Sequence, residues 1–184
     1  TVTFNAQNNG KHRSYLAFDL KNVQLKPEII GRADNQNLHE IQRADMVILY
    51  AEKFADQAER LAAHRRIYNE FEVVTVNINQ IWEEYSAGKL DPSAIRNFFK
   101  MIYERDPAFR FAILMGDGSF DYKNIRELAD PGNYIPVYET VESLHPIYAY
   151  PTDDYYGLLD DNEGLETGDL LAGDLDIALG RFPV

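Results

Sequence analysis

The chain has 184 residues, 45% of them hydrophobic, which is enough apolar material for one domain with a core and too much for a disordered or fibrous segment. Its formal net charge is −12, from 30 acidic against 18 basic residues, and no basic patch interrupts that field, which argues against a nucleic-acid partner. No apolar run approaches the ~20 residues that cross a bilayer, no signal-peptide pattern opens the chain, and the lack of cysteine excludes disulfides, thiolate metal sites and a cysteine nucleophile within these residues.

In chain order, Val2 to Asn5 and Tyr15 to Asp19 read as short strands around the turn-forming Asn8-Asn9-Gly10, the end of a preceding β-rich region. A polar connector follows through Pro27 and Gly31, and a boundary is placed between residues 1–33 and 34–184. From Ala44 the pattern becomes strand, helix, strand, helix, strand. Met46 to Tyr50 is a continuous apolar run, as a parallel strand covered on both faces requires. Phe54, Ala58, Leu61, Ala62 and Arg65 then recur at helical spacing, and His64-Arg65-Arg66 place cations at that helix's carboxyl end, where its dipole favours them.

The β-branched run from Phe71 to Ile78 predicts a second strand, followed by a short helical turn over Ile81 to Tyr85 that stops near Gly88. Asp91-Pro92 predicts a helix start, aspartate as N-cap and proline in the first turn, with Ile95, Phe98, Phe99 and Ile102 as its buried face. Phe111 to Met115 is the third strand, and Ala178 to Val184 reads as a further strand leaving into more protein, so that the chain is expected to be an excised piece. The alternation predicts an α/β fold of three layers, a mostly parallel sheet with helices on both faces.

Ligands of such sheets bind where strands end at their carboxyl edge. Gly116-Asp117-Gly118-Ser119-Phe120-Asp121-Tyr122 follows the third strand directly. It lacks the Gly-Lys-Ser/Thr ending of a phosphate loop, and its aspartates would repel phosphate. Asp117 either caps backbone amides or faces a ligand. A denser cluster runs from Pro151 to Glu163. Asp153 could receive a basic group; Asp160, Asp161, Asn162 and Glu163 could offer oxygens to calcium, or form a solvated acidic loop. No EF-hand spacing is present.

His12, His39, His64 and His145 show no metal-ligand spacing, and no Gly-x-Ser-x-Gly elbow occurs. Tyr134, Tyr138, Tyr148, Tyr150, Tyr155 and Tyr156 crowd the region after the third strand, suited either to a substrate groove or to packing over their own sheet.

Together, Asn35-Gln36-Asn37-Leu38-His39, Ala44 to Leu49, Glu84-Tyr85-Ser86-Ala87-Gly88, Gly116 to Tyr122, Asp153-Asp154-Tyr155-Tyr156-Gly157 and Asp174 to Val184 resemble the gingipain cysteine peptidases. The resemblance is nearest to the members that act as sortase, or C-terminal signal peptidase, of the type IX secretion system. It implies a caspase-like fold in two subdomains, of which this chain is similar to the first. It also implies catalysis by a histidine in a Gly-His-Gly context and a downstream cysteine, neither of which occurs here.

Thr152-Asp153-Asp154-Tyr155-Tyr156-Gly157 resembles the family's Ser-Asp-x-x-Tyr-Gly segment, whose acid receives a substrate's basic side chain. The resemblance therefore assigns Asp153 to substrate binding; Asp117, at the carboxyl edge, and Tyr156, in the same segment as Asp153, are expected to bind substrate with it. It adds weight to structural calcium at Asp160, Asp161 and Glu163, with no cofactor required. It further implies a protein or peptide substrate, other secretion-system proteins as partners, no membrane contact by this segment, and a secreted or outer-membrane-surface location. The competing reading is a peptidase-like docking module without catalysis.

Overall fold

The structure is a computed structural model and describes residues 19, 28–29, 31–33, 35–127, 132–140, 149–164, 166–167 and 170–183. The hairpin expected over residues 2–19 lies outside the described residues apart from Asp19. The chain divides into two compact units, Thr1–Asn35 and Gln36–Val184, the division falling two residues beyond the boundary expected from composition. The second unit is described here.

Strand β1 (Met46–Tyr50) is the centre of the sheet, paired in parallel with β2 (Val73–Asn77) on one side and β3 (Phe111–Met115) on the other. β3 pairs in parallel with β8 (Ala178–Phe182), so the strand order is β2-β1-β3-β8. Strand alternation sends Met46, Ile48 and Met115 to one face, where they meet Ala58 and Ala62 of helix α1 (Ala55–Tyr68). Val47, Leu49, Ala112 and Leu114 face the other way, into a core with Ile81 and Trp82 of α2 (Ile78–Tyr85) and Ile95, Phe98, Phe99 and Ile102 of α3 (Pro92–Arg105). That is the expected three-layer arrangement. Because both faces of β1 are covered, its first four residues are all buried, which accounts for its unbroken apolar run.

α3 begins as its sequence predicts: the Asp91 carboxylate accepts from Ser93 N at 2.9 Å and Pro92 occupies the first turn. α2 differs from the expectation. Ile78 opens the helix instead of ending the strand, and α2 runs for eight residues. The reason is a capping box: Asn77 Oδ1 accepts from Asn79 N at 2.9 Å, and Gln80 Oε1 accepts from Asn77 N at 3.1 Å. These bonds satisfy orphan amides at the helix start and override the β preference of Ile78.

Between β3 and β8 lie two small antiparallel pairs: β4 (Tyr138–Glu139) with β5 (Pro151–Thr152), and β6 (Glu166–Thr167) with β7 (Leu170–Leu171). A 3-10 turn, Asp154–Gly157, follows β5. The chain order places the reversal of strand order between β1 and β3, where α1 leads to one side and α2 and α3 to the other. Open sheets of this kind bind ligands at that point of the carboxyl edge.

Candidate functional site at the carboxyl edge of the sheet

The segment from Asn133 to Val137 lies over the exit from β3. The Asp117 carbonyl accepts from Tyr134 N at 2.9 Å and Ile135 N at 3.1 Å. Gly116 has φ +150, and a Cβ there would stand 2.9 Å from Tyr134 Cβ, so only glycine lets the two segments approach. At Gly118 a Cβ would lie 2.8 Å from the Ile135 carbonyl oxygen. Asn133 ties the loops together: its Oδ1 accepts from Ser119 N at 3.1 Å and its Nδ2 donates to Tyr122 O at 3.1 Å. Asp121 holds the next turn, its two oxygens accepting from Ile125 N at 2.8 Å and Arg126 N at 2.9 Å.

Asp117 is exposed at this edge, and its Oδ1 accepts from Gly118 N at 2.9 Å. It therefore caps its own loop while its carboxylate stays accessible. Asp153 sits in a different environment. Its Oδ2 accepts from Arg181 Nε at 2.8 Å and its Oδ1 from Arg181 Nη2 at 2.6 Å, a bidentate pair whose side chains are 25% and 12% exposed. The acid expected to receive a basic group thus already holds one from β8.

Tyr156 is a correction to the sequence reading. It is fully buried, and its hydroxyl donates to Pro136 O at 2.7 Å. Burial first, and the nearby Asp153 carboxylate second, push its pKa well above the usual tyrosine value. A side chain so enclosed anchors the Asn133–Val137 segment and offers a substrate no surface. Tyr155 and Tyr138 stack with ring centroids 4.0 Å apart. Much of the tyrosine crowding therefore packs the loops over their own sheet. Glu139, beside Tyr138 on β4, has a buried Oε1 with no hydrogen-bond partner, and burial raises its pKa.

The acidic loop after Tyr156 is ordered by cations from α3. Arg96 Nε donates to Leu158 O at 2.5 Å, and its Nη2 to Asp160 O and Glu163 O, each at 3.0 Å. Lys100 Nζ donates to Leu159 O at 2.5 Å and pairs with Asp161 at 3.1 Å. Burial pulls the Lys100 pKa down, but its bonds to Glu104 and Asp161 leave it raised overall.

Among the described residues, the carboxylates that come within 4.8 Å of one another are Asp160, Glu163 and Asp176. Asp176 thus replaces the expected Asp161. Glu163 accepts from Asp160 N at 3.3 Å and Asp174 N at 2.8 Å, and Asp176 from Leu159 N at 2.7 Å and Tyr103 OH at 2.9 Å. That last bond is the main cause of a raised Tyr103 pKa. Each of the two hydrogen-bonded carboxylates keeps further lone pairs, so calcium at this cluster would share Glu163 and Asp176 with donors already in place.

The sequence reading missed Arg181, Arg96 and Glu139. An arginine inside Ala178-Leu179-Gly180-Arg181-Phe182, a parallel strand with a covered face, is the signal that could have found the first: a charge there needs a partner. Arg96 and Glu139 have no such mark, because a polar residue every few positions is ordinary on a helix or a short edge strand.

Among solved structures, the chain is similar to the crystal structure of dimeric latent PorU from Porphyromonas gingivalis, with a TM-score of 0.70 and 30% sequence identity. The similarity covers 86% of this chain and 16% of that one, so the chain spans a small part of its relative's length. No curated protein matches it. Residues 39–184 match the description of peptidase family C25, the whole of the compact unit but for its first few residues. By that match the chain belongs to peptidase family C25, the gingipain family.

Proposed function

We propose that this chain is the substrate-recognition and scaffold part of a cysteine endopeptidase that removes C-terminal secretion signals from exported proteins at the cell surface. The observation that carries the reading is the convergence of three loops, after β3, before β4 and after β5, on the carboxyl edge at the switch between β1 and β3. Family membership supplies the chemistry: a thiolate attacks the scissile carbonyl, donors stabilise the oxyanion, and water releases the acyl-enzyme. This chain contains no cysteine, so its own contribution is to position peptide and loops. The similarity to latent PorU supports placing the protein in type IX secretion, with its client proteins and other components of that apparatus as partners.

The test is release of the C-terminal segment from an exported client by the full-length protein, blocked by a thiol-alkylating inhibitor. Residues 1–184 alone are expected to release none. Thiol-inhibited hydrolysis by the isolated chain would overturn the division of roles. A full-length protein that binds such segments and leaves them intact would favour the docking module instead.

A further inference from the structure

A cleft of about 480 Å³ opens between the α2–α3 connection and the loop after β3. Lys89, Leu90, Asp91 and Pro92 form one wall, and Tyr122 and Lys123 the other. α3 ends at the entry to β1, where Asp106 accepts from Ala44 N at 3.1 Å, so its first turn and the cleft beside it lie towards the carboxyl edge. The volume falls within the roughly 300–1,000 Å³ of ordinary ligand sites, and both lysines are exposed to solvent.

Both walls are fixed. Gly88 N donates to Trp82 O at 2.7 Å, the Lys89 carbonyl accepts from Ser86 Oγ, and the Asp91 carboxylate caps α3. Opposite, the Tyr122 carbonyl accepts from Asn133 Nδ2 at 3.1 Å, and Asp121 accepts from the amides of Ile125 and Arg126. The backbone that carries the two lysines is therefore set before anything binds.

The two lysines differ from the neighbouring cations in having no partner. Arg181 is engaged by Asp153, Arg96 by three carbonyls, and Lys100 by Glu104 and Asp161. Among the described residues, neither the Lys89 nor the Lys123 ammonium takes part in a hydrogen bond or an ion pair, although Lys123 Nζ lies over the Tyr122 ring at 5.3 Å from its centroid. Asp91, the acid among the lining residues, has its Oδ1 on Ser93 N at 2.9 Å. The formal charge of −12 is spread over the whole chain and screened beyond about 8 Å at physiological salt, so two lysines against one aspartate leave the cleft locally positive.

The same residues disfavour phosphate. The first turn of α3 offers no free amide: Pro92 has none, Ser93 N is taken by Asp91 Oδ1, and Ala94 N donates to Asp91 O at 2.9 Å. Asp91 would also repel a dianion. A single carboxylate on an aliphatic stem fits better, with its oxygens at the ammonium groups and its methylenes against Leu90, Pro92 and the Tyr122 ring.

Resting on the peptidase reading above, we infer that this cleft recognises an acidic side chain, glutamate or aspartate, of the extended peptide substrate, with Lys89 and Lys123 as the specificity-determining residues.

The probe is acetyl-Ala-Leu-Glu-Glu-Leu-Ala-amide, titrated calorimetrically into the full-length protein after its thiols have been alkylated so that no peptide is cut. Its control replaces both glutamates by glutamine. The wild type is expected to bind the glutamate peptide at least about fivefold more tightly, by a margin that shrinks as salt is raised. Lys89→Gln combined with Lys123→Gln is expected to bring the two peptides within about twofold, and Lys89→Arg with Lys123→Arg to retain the preference. Both lysines are exposed and unpaired, so the variants are expected to keep the wild-type melting temperature. Equal binding of the two peptides by the wild type would overturn the inference, as would a preference that survives the double glutamine variant. Inorganic phosphate that displaces the glutamate peptide at equal ionic strength would overturn the choice of ligand. Because the titration needs no turnover, a protein that binds as expected and cuts no client would sink the peptidase reading and leave the cleft's assignment standing. One that cuts its client and binds both peptides equally would do the reverse.

Discussion

Tyr156 shows how an aromatic residue next to a candidate acid can serve the site without touching substrate. Its ring is fully buried, and its hydroxyl and Arg181 Nη2 both donate to the Pro136 carbonyl, at 2.7 and 3.3 Å. Tyr156→Phe keeps the ring and leaves that carbonyl one partner, so the expected loss is about 1 kcal/mol, read as a lower denaturant midpoint at unchanged slope. Tyr156→Ala removes the ring and is expected to cost about 3–5 kcal/mol.

Glu139 has the opposite character, a carboxylate whose Oε1 is buried and unpaired. Burial raises its folded pKa above the usual 4.5, so the folded state holds this proton more tightly than the unfolded chain does. Its ionisation therefore removes stability as pH rises from the unfolded value through the folded one. Glu139→Gln cannot ionise. Its melting temperature is expected to exceed that of the wild type at pH ~7 and to converge with it near pH ~3, where Glu139 is protonated in both states. An equal difference at both values would show that the carboxylate's charge is not the cause.

Local and long-range signals differ in how far the sequence discloses them. α3 was legible because its start depends on neighbours: Asp91, Pro92 and Ser93 settle the cap among themselves. β1 was legible from its apolar run. The start of α2 was not, because β-branched Ile78, continuing the run of β2, outweighed Asn77 and Gln80, whose reciprocal bonds matter only once the turn has formed. In the site, Asp153 could be placed from its segment. Its partner Arg181 is 28 residues away, and nothing local shows that the two meet. The same holds for Arg96, 62 to 67 residues from the carbonyls it binds.

That distance also makes Arg96 the connection between α3 and the acidic loop. It contacts three carbonyls and lies over the Tyr155 ring at 5.7 Å. Arg96→Met keeps much of the aliphatic stem and loses every charged donor, so the expected destabilisation is about 2 kcal/mol. The result also bears on calcium. If the loop is held by α3, millimolar calcium leaves the wild-type melting temperature unchanged and does not restore the variant. A rise in melting temperature on adding calcium, abolished by Glu163→Gln, would assign the cluster of Asp160, Glu163 and Asp176 to the metal instead.

For the whole molecule, the question is whether residues Gln36–Val184 need what precedes them. The four-stranded sheet and the three α-helices of the described residues fall inside this unit, and the core on the α2 and α3 face includes Leu38 and Ala44 from its first residues. The entry to the sheet is held internally as well. Glu84 accepts from Leu38 N at 2.9 Å, Asp106 accepts from Ala44 N at 3.1 Å, and Arg105 donates to His39 O at 2.7 Å. These contacts replace the need for an external clamp on β1, whose pairing with β2 and β3 is complete. Deleting residues 1–35 is therefore expected to leave the circular dichroism spectrum of an α/β domain and to keep a single cooperative unfolding transition. Conversely, Glu84→Ala, which removes the acceptor for Leu38 N, is expected to lower the midpoint of the shortened chain by an amount matching about 1–2 kcal/mol. A shortened chain that loses its cooperative transition would show that the first unit contributes to the stability of the second.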